Sequence, residues 1–116
     1  MKITIKVAAK FLVFVALIST HAAQAQDVNA RRERATAVYN EALAAAKAGD
    51  YEAACRGFND AAIHYENAIT ALMSANMSTE EQRENVKSYA SGLQADANDA
   101  KRNASSACGR PNEIVS

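Results

Sequence analysis

Proline occurs once in the 116 residues, at Pro111. Proline lacks an amide hydrogen and its ring clashes with the preceding turn, so it is the strongest interrupter of a helix. Everything before Pro111 is free of it, and much of that stretch is alanine, the best helix former. The chain therefore reads as helix, broken only where glycine and short polar clusters break it.

Periodicity predicts three helices. The first runs from about Val28 to Ala48, with Ala35, Val38, Ala42 and Ala45 three and four apart on one face. Asp27 and Asn29 are its candidate N-caps. Gly49 stands where a left-handed residue closes a helix, and Asp50 offers an oxygen to cap the next. A stop and a start in two residues force a tight helical hairpin. The second helix runs from Tyr51 to about Ala75. Its seam is Tyr51, Cys55, Phe58, Ala62, Tyr65, Ile69 and Leu72, in alternating steps of four and three. Ala54, Ala61, Ala68 and Ala75 form a small-residue strip beside it. The turn falls at Asn76-Met77-Ser78. Ser78 and Glu81 have capping-box spacing for the third helix. Its seam is Val86, Ala90, Leu93, Ala97, Ala100, Ala104 and Ala107, with Tyr89 alongside, and Cys108, Gly109 and Pro111 end it. Gly57 and Gly92 sit inside helices at a cost of about 1 kcal/mol each against alanine, which close helix approach or a bend would offset. The expected fold is all-α: three antiparallel helices, a hairpin followed by a long third helix.

The first 25 residues read differently. Lys2, Lys6 and Lys10 precede an apolar run from Phe11 to Ile18, with no acidic residue among them. The run is shorter than the roughly 20 residues a membrane span needs. Ala23 and Ala25 then match the small-x-small pattern of a secretory cleavage site. The expectation is a leader at 1–25, a three-helix domain at 26–108 and a mobile tail at 109–116. It places the mature chain in the periplasm of a Gram-negative bacterium, otherwise secreted, without a stable membrane anchor. Cleavage after Ala25 leaves ten Lys and Arg against thirteen Asp and Glu, a net charge of about −3. The charges are interspersed. Without a basic stripe, nucleic acid and anionic membrane are poor partners.

Gly49, Tyr51, Ala54, Phe58 and Ala61 follow the spacing G-x-Y-x-x-A-x-x-x-F-x-x-A. This resembles the second half of a tetratricopeptide repeat. With Val38, Ala42 and Ala45 upstream, the resemblance covers about residues 35–66. It implies small residues where two helices touch, and Tyr51 and Phe58 filling the gap to the next helix. It also implies a protein or peptide partner. Glu66 stands where the family usually carries proline, and no second copy is present downstream. A concave groove takes about three repeats, so this chain alone does not form one.

Cys55 and Cys108 are the only cysteines, and in an exported chain they make one possible pair. A disulfide would tie the start of helix two to the end of helix three. Counting from Met77, the two helical lengths differ by roughly 13 Å, so closure is expected to need an unwound last turn or a bend. A reactive thiol at Cys55, in the first turn of a helix, is the other reading. His64 has Asp60 four residues before it, and two ligands are too few for zinc. Arg31, Arg32 and Arg34 read as a solvated face or a greeting for an acidic partner. Tyr39, Tyr51, Tyr65 and Tyr89, at helical spacing, read as half-buried rings with hydroxyls at the edge. Neither a nucleophile elbow, a phosphate loop, HExxH nor Cys-x-x-Cys occurs. The expectation is a non-catalytic protein-binding or adaptor module without cofactor or metal. Arg31, Arg34, Tyr39 and Tyr51 are its candidate partner surface. The rival is a self-associating, coiled-coil-like envelope protein, a homodimer through its alanine seams.

Overall fold

The computed structural model describes residues 22–74 and 77–113, with side chains from Asp27 onward. Residues 1–21 of the expected leader, Ala75 and Asn76 in the turn, and residues 114–116 lie outside the described residues. Three helices succeed one another: α1 (Ala22–Lys47), α2 (Tyr51–Met73) and α3 (Glu80–Ala107). No strand occurs among the described residues.

Helix α1 starts six residues before the expected Val28, and the expected cleavage point after Ala25 lies inside it. Asp27 and Asn29 are therefore not caps. Asp27 accepts a hydrogen bond from Arg31 Nε at 3.0 Å, one turn on, and Asn29 is buried. The other end agrees closely with the sequence pattern. Gly49 has φ +83°. Its N–H donates to Ala46 O, and the Asp50 N–H to Ala45 O, which satisfies carbonyls that the helix leaves open. Asp50 Oδ1 then accepts from the Ala53 N–H at 3.1 Å and starts α2.

The start of α3 differs from its expectation by one residue. Thr79 is the N-cap and Gln82 its partner, not Ser78 and Glu81. The Gln82 N–H donates to Thr79 Oγ1 at 3.1 Å. Gln82 Oε1 in turn accepts from the Ser78 and Thr79 N–H groups at 3.0 and 3.4 Å. The shift lets one amide satisfy two open donors, and it places Glu80 and Glu81 in the first turn, where the helix dipole favours negative charge.

Helix α2 is the middle element and packs on both neighbours, whereas α1 and α3 meet mainly through side chains. Hence α2 buries two strips. Phe58, Ala62, Tyr65 and Leu72 come from the expected seam, and Ala54, Ala61 and Ala68 from the small-residue strip. Tyr51, Cys55 and Ile69 are only half-buried. On α3 the whole expected seam is buried except Ala90, and Tyr89 joins it. The α1–α2 hairpin is tight at Gly57: a Cβ there would lie 2.8 Å from Ala42 Cβ. Close approach, not a bend, explains that glycine. Next to it the Tyr39 and Phe58 rings meet edge-on, 5.3 Å between centres.

The disulfide closes at Cα–Cα 4.8 Å. From Cys55 to Met73 α2 covers roughly 27 Å, and from Glu80 to Cys108 α3 covers roughly 42 Å, at 1.5 Å per residue. Helix α3 remains helical to Ala107. The bond therefore closes without the unwound last turn that the sequence led one to expect.

Candidate functional site

Two places gather the chemistry of the fold. The first is a polar seam between α1 and α3. On α1 the buried residues Val28, Arg32, Ala35, Tyr39 and Ala42 alternate by four and three, with Asn29 buried beside Val28. Arg32 thus occupies a core position and is 1% exposed. Its Nη2 donates to Asp96 Oδ2 at 3.2 Å, and its guanidinium carbon stands 4.7 Å from the centre of the Tyr89 ring. Asp96 keeps 16% of its side chain exposed, so the pair sits at the rim of the interior. Farther along, Asn103 Nδ2 donates to the Tyr39 hydroxyl at 2.7 Å. Thr36 and Tyr65 share a hydroxyl–hydroxyl bond of 3.0 Å. Tyr89, Asp96, Asp99 and Asn103 fall at helical spacing on α3, a second stripe beside its alanine seam.

Burial raises the phenol pKa throughout this seam. Tyr65 is pushed up to about 12 by desolvation, against the lowering bond from Thr36. Tyr89 is raised by burial, with the nearby Arg32 charge pulling the other way. Tyr39 is raised by burial and by the negative charge of Asp99. Each phenol is therefore neutral over the ordinary pH range, and the seam is held by hydrogen bonds and one ion pair.

The second place is the end of the bundle where the α1–α2 turn, the start of α2 and the end of α3 converge. Cys55 and Cys108 join there. Gly109, with φ +85°, turns the chain away from α3. Residues 110–113, expected within a mobile tail, lie against the turn. The Arg110 guanidinium carbon is 4.0 Å from the centre of the Tyr51 ring. Asn112 Oδ1 accepts from the Glu52 N–H at 3.0 Å, so it caps an amide at the start of α2 that Asp50 leaves open. The Glu113 N–H donates to Gly49 O at 2.8 Å, and Tyr51 donates its hydroxyl to Glu113 Oε1 at 2.5 Å. That carboxylate, by accepting the bond, holds the Tyr51 pKa up. Gly49 is buried beneath, with Glu113 Cβ only 3.1 Å from where a Gly49 Cβ would sit.

The candidate partner residues separate accordingly. Arg31 and Arg34 remain at the surface, Arg31 paired with Asp27. Tyr39 is 5% exposed and belongs to the interior, and Tyr51 is covered by Arg110 and Glu113. The four do not form one open face. Arg32, read from its neighbours as solvated, is buried because it falls in register with Val28, Ala35 and Tyr39. That register was visible in the sequence, and the charge concealed it. Of the repeat-like residues, Ala54, Phe58 and Ala61 are buried and Tyr51 is half-buried. His64 is half-buried on α2, and among the described residues no three His, Cys, Asp or Glu side chains converge as a metal site would need. No helix among the described residues is long and apolar enough to cross a membrane. Compared with family models, curated proteins and solved structures, the chain matches none.

Proposed function

We propose that the chain is an exported, non-catalytic binding or adaptor module, working in the periplasm of a Gram-negative bacterium, with a tetratricopeptide-like hairpin as its recognition element. The observation that carries this reading is the seating of residues 110–113 on the α1–α2 turn. One end of the hairpin holds residues 110–113 by a stacked cation, a side-chain amide, a carboxylate and a backbone N–H. That is the chemistry of peptide recognition. Export is supported by the basic and apolar leader pattern and by a cysteine pair at bonding distance, which persists in oxidising compartments. The repeat-like reading is supported by Gly57 against Ala42 and by Tyr39 against Phe58, small residues at the helix contact with aromatics beside it.

The rival, a self-associating envelope protein, needs its seams free to pair between chains. Here Phe58, Tyr65, Leu72, Leu93 and Ala97 are spent inside one chain. Light scattering of the mature chain separates the two. A monomer at micromolar concentration supports the module, and a stable dimer or larger species supports the rival. Site-specific photo-crosslinking from Arg31 and Arg34 in the periplasm then tests for a partner. A discrete adduct with a second protein, lost when the cross-linker is moved to exposed Lys87, is the expected result. Adducts only with the chain itself would contradict it.

A further inference from the structure

The contacts of the C-terminal segment are spread over Arg110, Asn112 and Glu113, not clustered at one point. Arg110 lies on the Tyr51 ring, Asn112 meets the Glu52 amide, and Glu113 meets both Gly49 O and the Tyr51 hydroxyl. Each partner on the hairpin belongs to the turn or to the first turn of α2. Each is a generic recognition group: an aromatic face, an open helix amide, a carbonyl and a phenol donor. Pro111 fixes one backbone angle of the segment and reduces the freedom lost on docking. The Cys55–Cys108 bond holds the root of the segment beside this surface. Gly109 is the single residue between that root and Arg110. A segment tethered so closely meets its site at an effective concentration of millimolar or more.

We propose that the α1–α2 turn is a docking site for extended peptides carrying a cation, then a side-chain amide and a carboxylate, and that residues 110–113 are its resident, self-masking occupant. The site rests on the reading of the chain as a binding module and gives that module a ligand class. A partner segment of the same chemistry must displace the resident one, so the tail sets the threshold for binding.

The test uses the full mature chain and a synthetic peptide of sequence GRPNEIVS. The variant Arg110→Ala/Asn112→Ala/Glu113→Pro removes the cation, the amide side chain, the carboxylate and the donating N–H, and leaves Cys108 in place. The backbone amides of residues 49–53, monitored by NMR, are expected to move away from their wild-type positions in this variant. Added peptide is expected to bring them back with half-saturation on the order of 1 mM, while the wild type needs at least about tenfold more. A scrambled peptide is expected to do neither. Combining the variant with Tyr51→Leu should weaken the peptide about tenfold. A variant whose amides coincide with the wild type would overturn the proposal, because the tail is then not docked. So would a peptide without effect at about 10 mM, or equal binding to both proteins. Loss of helical signal in the variant is met by repeating the titration on Arg110→Ala/Asn112→Ala, read in the same way. The titration contains no other protein, so its failure removes this site while a partner cross-linked at Arg31 or Arg34 would leave the binding module standing.

Discussion

Arg32 and Asp96 are joined across the α1–α3 seam, Nη2 to Oδ2 at 3.2 Å, with the arginine side chain 1% exposed. A buried guanidinium without its carboxylate is far costlier than the pair is stabilising. Arg32→Met keeps much of the volume but takes the guanidinium from Asp96, and Asp96→Asn takes the carboxylate from the buried charge of Arg32. Each is expected to lower stability by about 3 kcal/mol, a fall of more than about 10 °C in Tm for a domain this size. The double replacement Arg32→Met/Asp96→Leu should recover most of that loss. Urea unfolding of the four proteins gives the coupling directly, and additive losses would mean that the two residues are not partners.

The glycine at the hairpin contact yields an opposite expectation from propensity. Gly57→Ala gains about 1 kcal/mol of intrinsic helix stability. It also places a methyl 2.8 Å from Ala42 Cβ, a contact the tight hairpin cannot absorb without shifting. Overpacking of this kind costs about 1–3 kcal/mol, so the variant is expected to melt lower than the wild type. Ala42→Gly added to Gly57→Ala restores the space and should return most of the loss. A Gly57→Ala protein that melts higher would show that the helices are not in contact there.

These two sites differ in how readable they were. Gly57 stood one residue before Phe58 in a repeat-like pattern, and the small residues Ala42, Ala54 and Ala61 announced a close contact. The hairpin turn was equally plain, since Gly49 and Asp50 state their backbone needs locally. Arg32 runs against its local pattern because charge usually means solvent, and only its register with Val28, Ala35 and Tyr39 says otherwise. The partner that makes its burial tolerable, Asp96, is 64 positions away, and no local pattern specifies that meeting. The docked segment was hidden for the same reason. Gly109 and Pro111 end α3, but where residues 110–113 then lie depends on the register that the disulfide sets between α2 and α3.

Opening the disulfide tests that register. The bond closes a loop with a sequence separation of 53, worth about 4 kcal/mol in the chain-entropy description. Cys55→Ser/Cys108→Ser is expected to lower the urea midpoint accordingly. It should also speed hydrogen exchange at the Glu52 amide, because Asn112 loses its anchored root. Faster exchange at Glu52 with an unchanged midpoint would limit the bond to positioning the tail.

Alkaline pH should loosen the polar seam. Tyr65, with an ordinary pKa of 10.0, is raised to about 12, and Tyr39 and Tyr89 are raised as well. A group whose folded pKa lies above its unfolded value binds its proton more tightly in the native state. Its contribution is full below pH 10 and is lost as pH rises towards about 12. Stability measured by urea is therefore expected to be flat between about pH 8 and 9.5 as far as these phenols are concerned, then to fall steeply. Phenolate absorbance should lag the free-tyrosine curve. Tyr65→Phe is expected to soften the fall, and an unchanged alkaline slope in that variant would place the titration elsewhere.

The proposal that the chain is exported and closed by its disulfide is tested most directly by intact mass. Full-length protein is expressed in a Gram-negative host, taken from the periplasmic fraction, and treated with an alkylating reagent under denaturing conditions without reductant. The expected species begins at Gln26, carries no label, and gains two labels only after reduction. A species that retains residues 1–25, or that takes two labels before reduction, would contradict an exported module closed by Cys55 and Cys108.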